Sequence, residues 1–580
     1  MSRTLNEALF AAGTCKTKGL RLLDRRERPT RMTWDQVLTR ALDTCGRLQA
    51  HGVGRGDRVA LIYPTVPAFF DAFFGILLAG ATPAPLYPPV RLGRLDEYHR
   101  KTARMLQLAD AKLVLTDHSV RRVLGQTIEL ARPPLGCLVL DELPRGTAEP
   151  VAVRPDELGL VQFSSGTTVD PKPVALSHGA ILAQGRLIEQ AIEQTFPEVD
   201  GLVHGGCSWL PLYHDMGLIG CVIPALLHPG NLTLIRPEIF VARPAVWLRA
   251  ISKYRCTVAT APNFAYALCV DRIKDADIAG VDLSHWLVAM NGAEPVAPDT
   301  LRAFLERFGA HGLRPEALSP VYGLSEASLA VTFTPFDRPF QTACFDRDVL
   351  AQEQRAEQAD DGVELVSVGT ALPTFDVQVR VDGAQVPDGR IGTVWAKGPS
   401  LMTAYLGNPE ATAATLVDGW LDTGDLGFVH GGELYLTGRA KDVLILRGRN
   451  HAPHELEQAV DRVAGVRTGC AAATSHRAEG ASTEALILFV EHARDADADS
   501  LAALVTACQQ AVLETTGLRV DSLIVLAPGT LPRTSSGKIR RGEALRRHLA
   551  GELVPPQDVG ALKLLGTMLK SRRALARSRR

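Results

Sequence analysis

The 580-residue sequence has no surplus of either charge: 63 Lys and Arg stand against 64 Asp and Glu, a formal net charge of −1. A dedicated nucleic-acid binder carries a basic excess and an acidic disordered chain the reverse, so both classes are set aside. The ten cysteines are scattered singly from Cys15 to Cys508, with no CxxC pair. That spacing indicates neither a zinc ribbon nor a disulfide framework, and reads as reduced thiols in a cytoplasmic protein. There is no basic start followed by an apolar core, so no signal peptide is expected. Long apolar runs are missing as well. Residues 66–90 are broken by Asp71, Pro67, Pro83, Pro85, Pro88 and Pro89, and residues 218–235 by Pro224, His228 and Pro229. Neither offers the ~20 unbroken apolar residues of a membrane span, and both read as core elements. No repeat of fixed period occurs.

What is present suits a large globular chain. Hydrophobic residues make up 46% of the sequence and charged ones 22%, near the globular average. The length allows three or four units of ~150 residues, or one composite domain with a smaller one. Short apolar runs alternate with helical patterns. RVALIY at 58–63, KLVLT at 112–116, CLVL at 137–140 and residues 232–235 read as strands, and 67–80 as an apolar helix ending at glycine. The alternation predicts an α/β architecture with mostly parallel sheets. The strand-like ELYLT at 433–437 is followed by a short charged segment, and a new strand opens at 443–446. We therefore place a hinge at 439–441, between a domain of residues 1–438 and one of 442–580. Residues 336–364 have scattered charges and no apolar periodicity, which predicts an insertion or surface loop.

The most informative segment is QFSSGTTVDPKPVALSH at 162–178. Ser164, Ser165, Thr167 and Thr168 surround Gly166, and Lys172 follows. Hydroxyls and the N–H groups of a tight turn supply donors for polyphosphate, and lysine supplies charge. The spacing is not that of a Walker loop. Taken alone, it is equally an ordinary polar loop before a helix. It resembles, however, the phosphate loop of the adenylate-forming (AMP-binding) superfamily. Six further motifs follow in that family's order: WLPLYHDMGLIG at 209–220, NGAEPV at 291–296, YGLSEA at 322–327, LDTGDLG at 421–427, TGRAKD at 437–442 and LPRTSSGKIRR at 531–541. Two positions depart from it. Val169 and Pro173 stand where the family has glycines; a β-branched residue resists positive φ, and proline removes an N–H.

The resemblance implies a large composite N-terminal domain with mostly parallel sheets and a smaller, mobile α+β C-terminal domain. It implies that ATP and a carboxylic acid form an acyl-adenylate and pyrophosphate, with Mg²⁺ as cofactor. Lys538 matches the catalytic lysine, and Glu326 the residue holding Mg²⁺ on the triphosphate. Tyr322 would stack on adenine, Ser325 would donate near the phosphates, and Gly323 lies between them. The backbone of Asn291, Gly292, Ala293 and Glu294 would line the adenine. Asp425 would accept from both ribose hydroxyls, Arg439 would contact ribose or phosphate, and Lys441 is the hinge position. His214 and the neighbouring Asp215 would line the acyl pocket near the carboxylate.

Three features are similar to the fatty acyl-AMP ligase branch: YHDMGLIG with NGAEPV, RGRNHAPHELE at 447–457, and the 42 residues between Glu326 and Gly369. The extra stretch, including Phe345, Asp346 and Arg347, falls where that branch carries an insertion associated with blocking the CoA-using conformation. The acyl group, expected to be a fatty acid, would then pass to a separate acyl carrier protein. The alternatives are an acyl-CoA synthetase, and a nucleotide-binding protein of weak activity motivated by Val169 and Pro173.

Three smaller features complete the reading. His451 and His454 are three apart, a spacing that can share a helix face, without a third zinc ligand nearby. Asp521, Ser522 and Leu523 resemble a carrier-domain serine motif, yet only 57 residues follow Leu523, too few for a carrier fold. They read as a strand edge of the small domain. The tail 561–580 places Leu562, Leu565, Met568 and Leu569 at helical spacing before a basic end. That suits a short amphipathic helix that could meet an acidic carrier or a membrane, with a frayed solvated tail as the plainer expectation.

Overall fold

A computed structural model describes residues 2–89, 92–164, 171–198, 203–446, 449–477, 484–493, 498–534, 537–556 and 561–578. Among these the largest sheet has nine strands. Six adjacent ones run parallel, in the spatial order Leu318–Gly323, Val288–Asn291, Val258–Ala261, Gly205–Ser208, Asn231–Ile235 and Gly19–Leu23. Antiparallel strands close both edges. A second sheet is all parallel, ordered Thr82–Leu86, Arg58–Ile62, Leu113–Thr116 and Cys137–Leu138. Strands covered on both faces read as unbroken apolar runs, which is why RVALIY and KLVLT were legible as strands. CLVL yields a shorter strand than expected, because a 3₁₀ turn begins at Leu140.

The apolar helix is Pro67–Leu78, with proline in its first turn. Phe69, Phe70, Phe73 and Phe74 are all buried. Asp71 is buried among them, and Arg40 donates to it from Nε at 2.8 Å. An antiparallel sheet follows later in the chain, built around Gly392–Lys397, Trp420–His430 and Glu433–Arg439. The last two strands turn at Gly431 and Gly432, both with positive φ, as a two-residue hairpin requires.

Beyond this sheet lies a smaller α+β unit. Its sheet of Val466–His476, Ala485–His492 and Ser522–Leu526 packs on the helices Pro453–Asp461 and Ala498–Thr516, around a core including Leu456, Val460, Leu488 and Val512. Ser522 opens the edge strand, and the Asp521 carboxylate accepts from the N–H of Leu486. No helix among the described residues is long and apolar enough to cross a membrane.

Three expectations need correction. Residues 336–364 lie mostly at the surface, but they are not irregular throughout. Thr342–Phe345 pairs antiparallel with Val363–Val366, and Phe345 is 0% exposed, edge-on to Phe428 and Tyr435. The buried apolar residues of the stretch, Phe336, Phe345 and Val363, are too far apart to show a period. His451 and His454 share no helix: His451 ends the strand Arg449–His451, and His454 lies in the next helix. The tail does form a helix, Ala561–Ser578, but it is not a free arm. It packs on the helix His118–Ala131 of the large domain, burying Ser571 and Ala574, while Leu569 is 60% exposed. Gly125 makes this possible. The Ser571 hydroxyl accepts from the N–H of Gly125 at 2.7 Å and reaches the carbonyl of Arg121 at 3.4 Å.

Candidate active site

Loops after four neighbouring parallel strands build the site. Gly205–Ser208 leads to His214 and Asp215, Val258–Ala261 to Asn263, Val288–Asn291 to Glu294, and Leu318–Gly323 to Glu326. Register aligns their ends, with Ala261 beside Asn291 and Asn291 beside Pro320. The carboxyl ends of parallel strands are where open α/β sheets bind ligands. Here they open into a cavity of about 800 Å³.

Most of the expected residues meet there. Ser164, His214, Asp215, Ala293, Glu294 and Tyr322 line the cavity. So do Gly323, Ser325, Glu326, Asp425, Arg439 and Lys538. Lys538 arrives from the small unit, in the turn after Thr534, whose Oγ1 accepts its N–H at 3.1 Å. Burial and then Arg439 push its ammonium below the ordinary lysine value, while Asp215, Glu294 and Asp425 favour the charge. Asp215 is buried, which works to raise its pKa. His214, with Nδ1 at 2.7 Å from Oδ1, and the Ser325 hydroxyl outweigh that and hold it at about 2.

Asp425 and Arg439 face each other as a cross-strand pair, with Arg439 Nε 2.9 Å from Oδ1. Tyr322 donates to Oδ2 at 2.7 Å. Both carboxylate oxygens thus have protein donors, with lone pairs to spare. The Asp425 charge raises the pKa of Arg439. Gly323 cannot carry a side chain: a Cβ there would lie 1.8 Å from the carbonyl oxygen of Leu329.

Asn291 is fully buried. Its amide donates to Asn263 Oδ1 at 3.1 Å, and its own Oδ1 has no partner among the described residues. Gly292 presses against Val321, and Ala293 has φ +72°. The Glu294 side chain turns to the protein instead, accepting the Phe264 N–H at 2.6 Å at the start of the helix Asn263–Arg272. Burial raises its pKa. Lys441 is exposed and outside the cavity.

Ser165, Gly166, Thr167, Thr168 and Val169 lie outside the described residues. The base of their loop is described. Ser164 N–H donates to Lys172 O at 3.0 Å, closing a hairpin between Leu158–Phe163 and Pro173–Ser177. Pro173 is the first residue of its strand, where proline is tolerated, and its carbonyl accepts from Leu406 N–H at 2.9 Å.

Two groups escaped the sequence reading. Tyr405 donates to Glu326 Oε1 at 2.8 Å, and the Lys172 ammonium lies 4.4 Å from its ring centroid. Arg541 binds both oxygens of Glu457 at 2.6 Å. Tyr405 carried no local signal, and although Glu457 and Arg541 each lie in a motif, nothing local pairs them; both contacts join residues at least 79 apart. Across the units, Arg347 reaches Glu455 and Arg449 reaches Asp348, both at 3.2 Å.

Comparison with known proteins bears on this site. The profile described as AMP-binding enzyme matches residues 15–406, and one described as Disco-interacting protein 2-like, AMP domain, matches 441–557. A Caulobacter vibrioides protein named putative acyl-CoA synthetase is 36% identical over 563 residues, 94% of this chain and 96% of its own. A 4-hydroxyphenylalkanoate adenylyltransferase of Mycobacterium marinum is 32% identical, covering 89% of this chain and 86% of its own. A solved structure from studies of fatty acyl-adenylate ligases of E. coli and L. pneumophila matches with a TM-score of 0.87 at 32% identity, covering 94% of this chain and 98% of its own.

Proposed function

This chain belongs to the AMP-binding enzyme family, and on that premise we propose that it is an acyl-AMP ligase that serves a separate acyl carrier protein. A carboxylate oxygen attacks the α-phosphorus of ATP in line, the bond to the bridging oxygen breaks, and pyrophosphate leaves. The acyl-adenylate then meets the phosphopantetheine thiol, and AMP departs. The observation that supports this reading is the arrival of Lys538, from the small unit, in the cavity that holds Asp215, Ser325, Glu326 and Asp425.

In this proposal Lys538 places its cation between the attacking carboxylate and the α-phosphate as charge develops. Positioning and electrostatics carry most of phosphoryl transfer. His214 and Asp215 border the carboxylate end of the acid. Asp215, ionised at about pKa 2, keeps a negative charge close to the lysine. Tyr322 and the 291–294 backbone flank the adenine, with Asn291 Oδ1, unpartnered among the described residues, beside them. Asp425 and Arg439 take the ribose, and Ser164 and Lys172 the phosphates, together with Ser165–Thr168. The site fits a hard divalent cation at Glu326, whose carboxylate faces the cavity with a neutral donor on one oxygen. Mg²⁺ there would screen the phosphate charge. The 439–441 segment is proposed as the hinge between domains 1–438 and 442–580. A cytoplasmic location fits the ten free thiols.

The carrier, not CoA, is proposed as acceptor because the insertion hairpin ties the two units together through Arg347–Glu455 and Asp348–Arg449. The Caulobacter relative's name favours the second reading, an acyl-CoA synthetase. The acid is proposed to be fatty, after the ligase structure, with a hydroxyphenylalkanoate as the alternative the mycobacterial relative suggests. Purified protein with ATP, Mg²⁺ and a mixed acid pool should yield acyl-AMP, and no acyl-CoA when CoA is added. Abundant acyl-CoA refutes the carrier assignment. Adenylate formation at the wild-type rate in Lys538→Ala refutes the role of that lysine.

A further inference from the structure

We propose that Tyr405 is a positioning residue that holds the phosphate-binding cation and the metal-holding carboxylate apart at one fixed spacing. This rests on the assignment of Lys172 and Glu326 made above and adds a residue that the motifs did not contain.

The geometry begins with a short strand. Ala404–Tyr405 pairs antiparallel with the strand that starts at Pro173, placing Tyr405 opposite Val174. Thr403 N–H donates to Ala175 O at 2.8 Å and Leu406 N–H to Pro173 O at 2.9 Å. The Tyr405 N–H is held by Thr412 Oγ1 at 3.0 Å. This register sets the tyrosine beside the residue that leaves the phosphate loop. Lys172 lies with its ammonium 4.4 Å from the ring centroid, well inside the range of a cation–π attraction.

The same segment grips the turn that carries Glu326. Met402 N–H donates to the Glu326 carbonyl at 2.7 Å, and Ser328 Oγ to the Ser400 carbonyl at 2.6 Å. Ser400 Oγ in turn reaches Ala327 O at 3.0 Å. The Tyr405 hydroxyl then donates to Glu326 Oε1 at 2.8 Å. One ring therefore carries a cation over its face and a carboxylate at its rim.

The choice of a phenol has a physical reason. A lysine or arginine at 405 would orient Glu326 equally well but would neutralise it, leaving little charge for a divalent cation. A phenol is neutral. With Tyr405 only 4% exposed, its hydroxyl donates to Glu326 and brings no charge of its own. Its face attracts Lys172 without consuming the charge that would meet phosphate. Tyr405 touches neither ATP nor acid in this scheme. It acts through Lys172 and Glu326.

The experiment uses full-length Tyr405→Phe and Tyr405→Leu. ATP binding is measured by calorimetry with Mg²⁺ and in EDTA, beside pyrophosphate-exchange kinetics and melting curves. Phenylalanine keeps the face and removes the hydroxyl. Its ATP affinity in EDTA should match wild type, while the gain on adding Mg²⁺ falls about tenfold, the scale of one hydrogen bond to a charged group. Leucine should in addition weaken binding in EDTA about threefold through Lys172. KM for MgATP should rise in both, with melting unchanged in Tyr405→Phe. If Tyr405→Phe binds ATP like wild type under both conditions, the proposal fails while the nucleotide site stands. If both variants lose affinity, kcat and melting temperature in parallel, Tyr405 is only a packing residue. If the wild-type protein binds no ATP, the function proposed above fails and this inference with it.

Discussion

Replacing Gly125 by alanine adds one methyl group where the tail helix comes closest to the large domain. That Cβ would lie 2.2 Å from the Ser571 carbonyl oxygen, 2.4 Å from its Cα and 2.7 Å from its carbonyl carbon. Ordinary contacts between such atoms are about 3.5 Å, so the tail backbone has to withdraw by about 1 Å or more. No side chain can rotate to relieve the clash, because all three atoms are backbone. Withdrawal takes the Ser571 hydroxyl away from the Gly125 N–H and the Arg121 carbonyl, at about 1 kcal/mol for each bond. It also loosens the packing of Ser571 and Ala574, worth about another 1 kcal/mol. The docking is thus weakened by about 2–3 kcal/mol. Within its own helix the substitution acts the other way, since alanine is favoured over glycine by about 0.5–1 kcal/mol. Two readouts of opposite sign are therefore expected. Hydrogen exchange across 561–578 and proteolysis near residue 550 should speed up about thirtyfold or more, while the melting temperature of the large domain stays level or rises. Unchanged exchange in the tail would mean that the Gly125 contact does not hold the helix, and the reasoning would be wrong.

Other expectations follow from buried groups. His178 is 1% exposed, its Nδ1 accepts the Leu5 N–H at 3.2 Å, and burial pushes its pKa down to about 4 from 6.5. The unfolded chain therefore binds more protons between these values, and stability falls as pH drops from about 6.5 to about 4, by roughly 3 kcal/mol at most. Denaturant unfolding at several pH values should show this slope, and His178→Gln should flatten it. Phe345→Ala empties a fully buried site against Phe428 and Tyr435 and should cost about 3–5 kcal/mol in unfolding experiments, with faster cleavage inside 336–364. Arg541→Met leaves Glu457 and Asp442, 2.6 and 3.4 Å away in the native pair, without their cation. A loss of about 3 kcal/mol is expected, most of it regained in the double variant with Glu457→Met, as read by thermal melting.

Some of this protein is written locally in its chain. The parallel strands at 58–62 and 113–116 were legible because burial on both faces makes an unbroken apolar run. The cavity-lining residues of YGLSEA were legible because Tyr322 at a strand's end and Ser325 and Glu326 in the turn after it are spaced by a few residues. Contacts between distant segments were not. Phe345 sits in a stretch without periodicity, because its buried partners, Val363 on the paired strand and Phe428 and Tyr435 beyond it, lie far along the chain. The tail showed an apolar stripe, yet Ser571 and Ala574 are buried against the large domain while Leu569 of that stripe is exposed. That contact was chosen by a glycine 446 residues earlier in the chain. Tyr405 acquires its place between Lys172 and Glu326 only when two strands 230 residues apart come into register. Sequence alone determined the family, the α/β layers and the inventory of charged and hydroxyl groups, since these depend on neighbours along the chain. Which of those groups face one another was decided by the tertiary structure, because pairing, burial and the resulting pKa shifts are properties of distances that no local stretch contains.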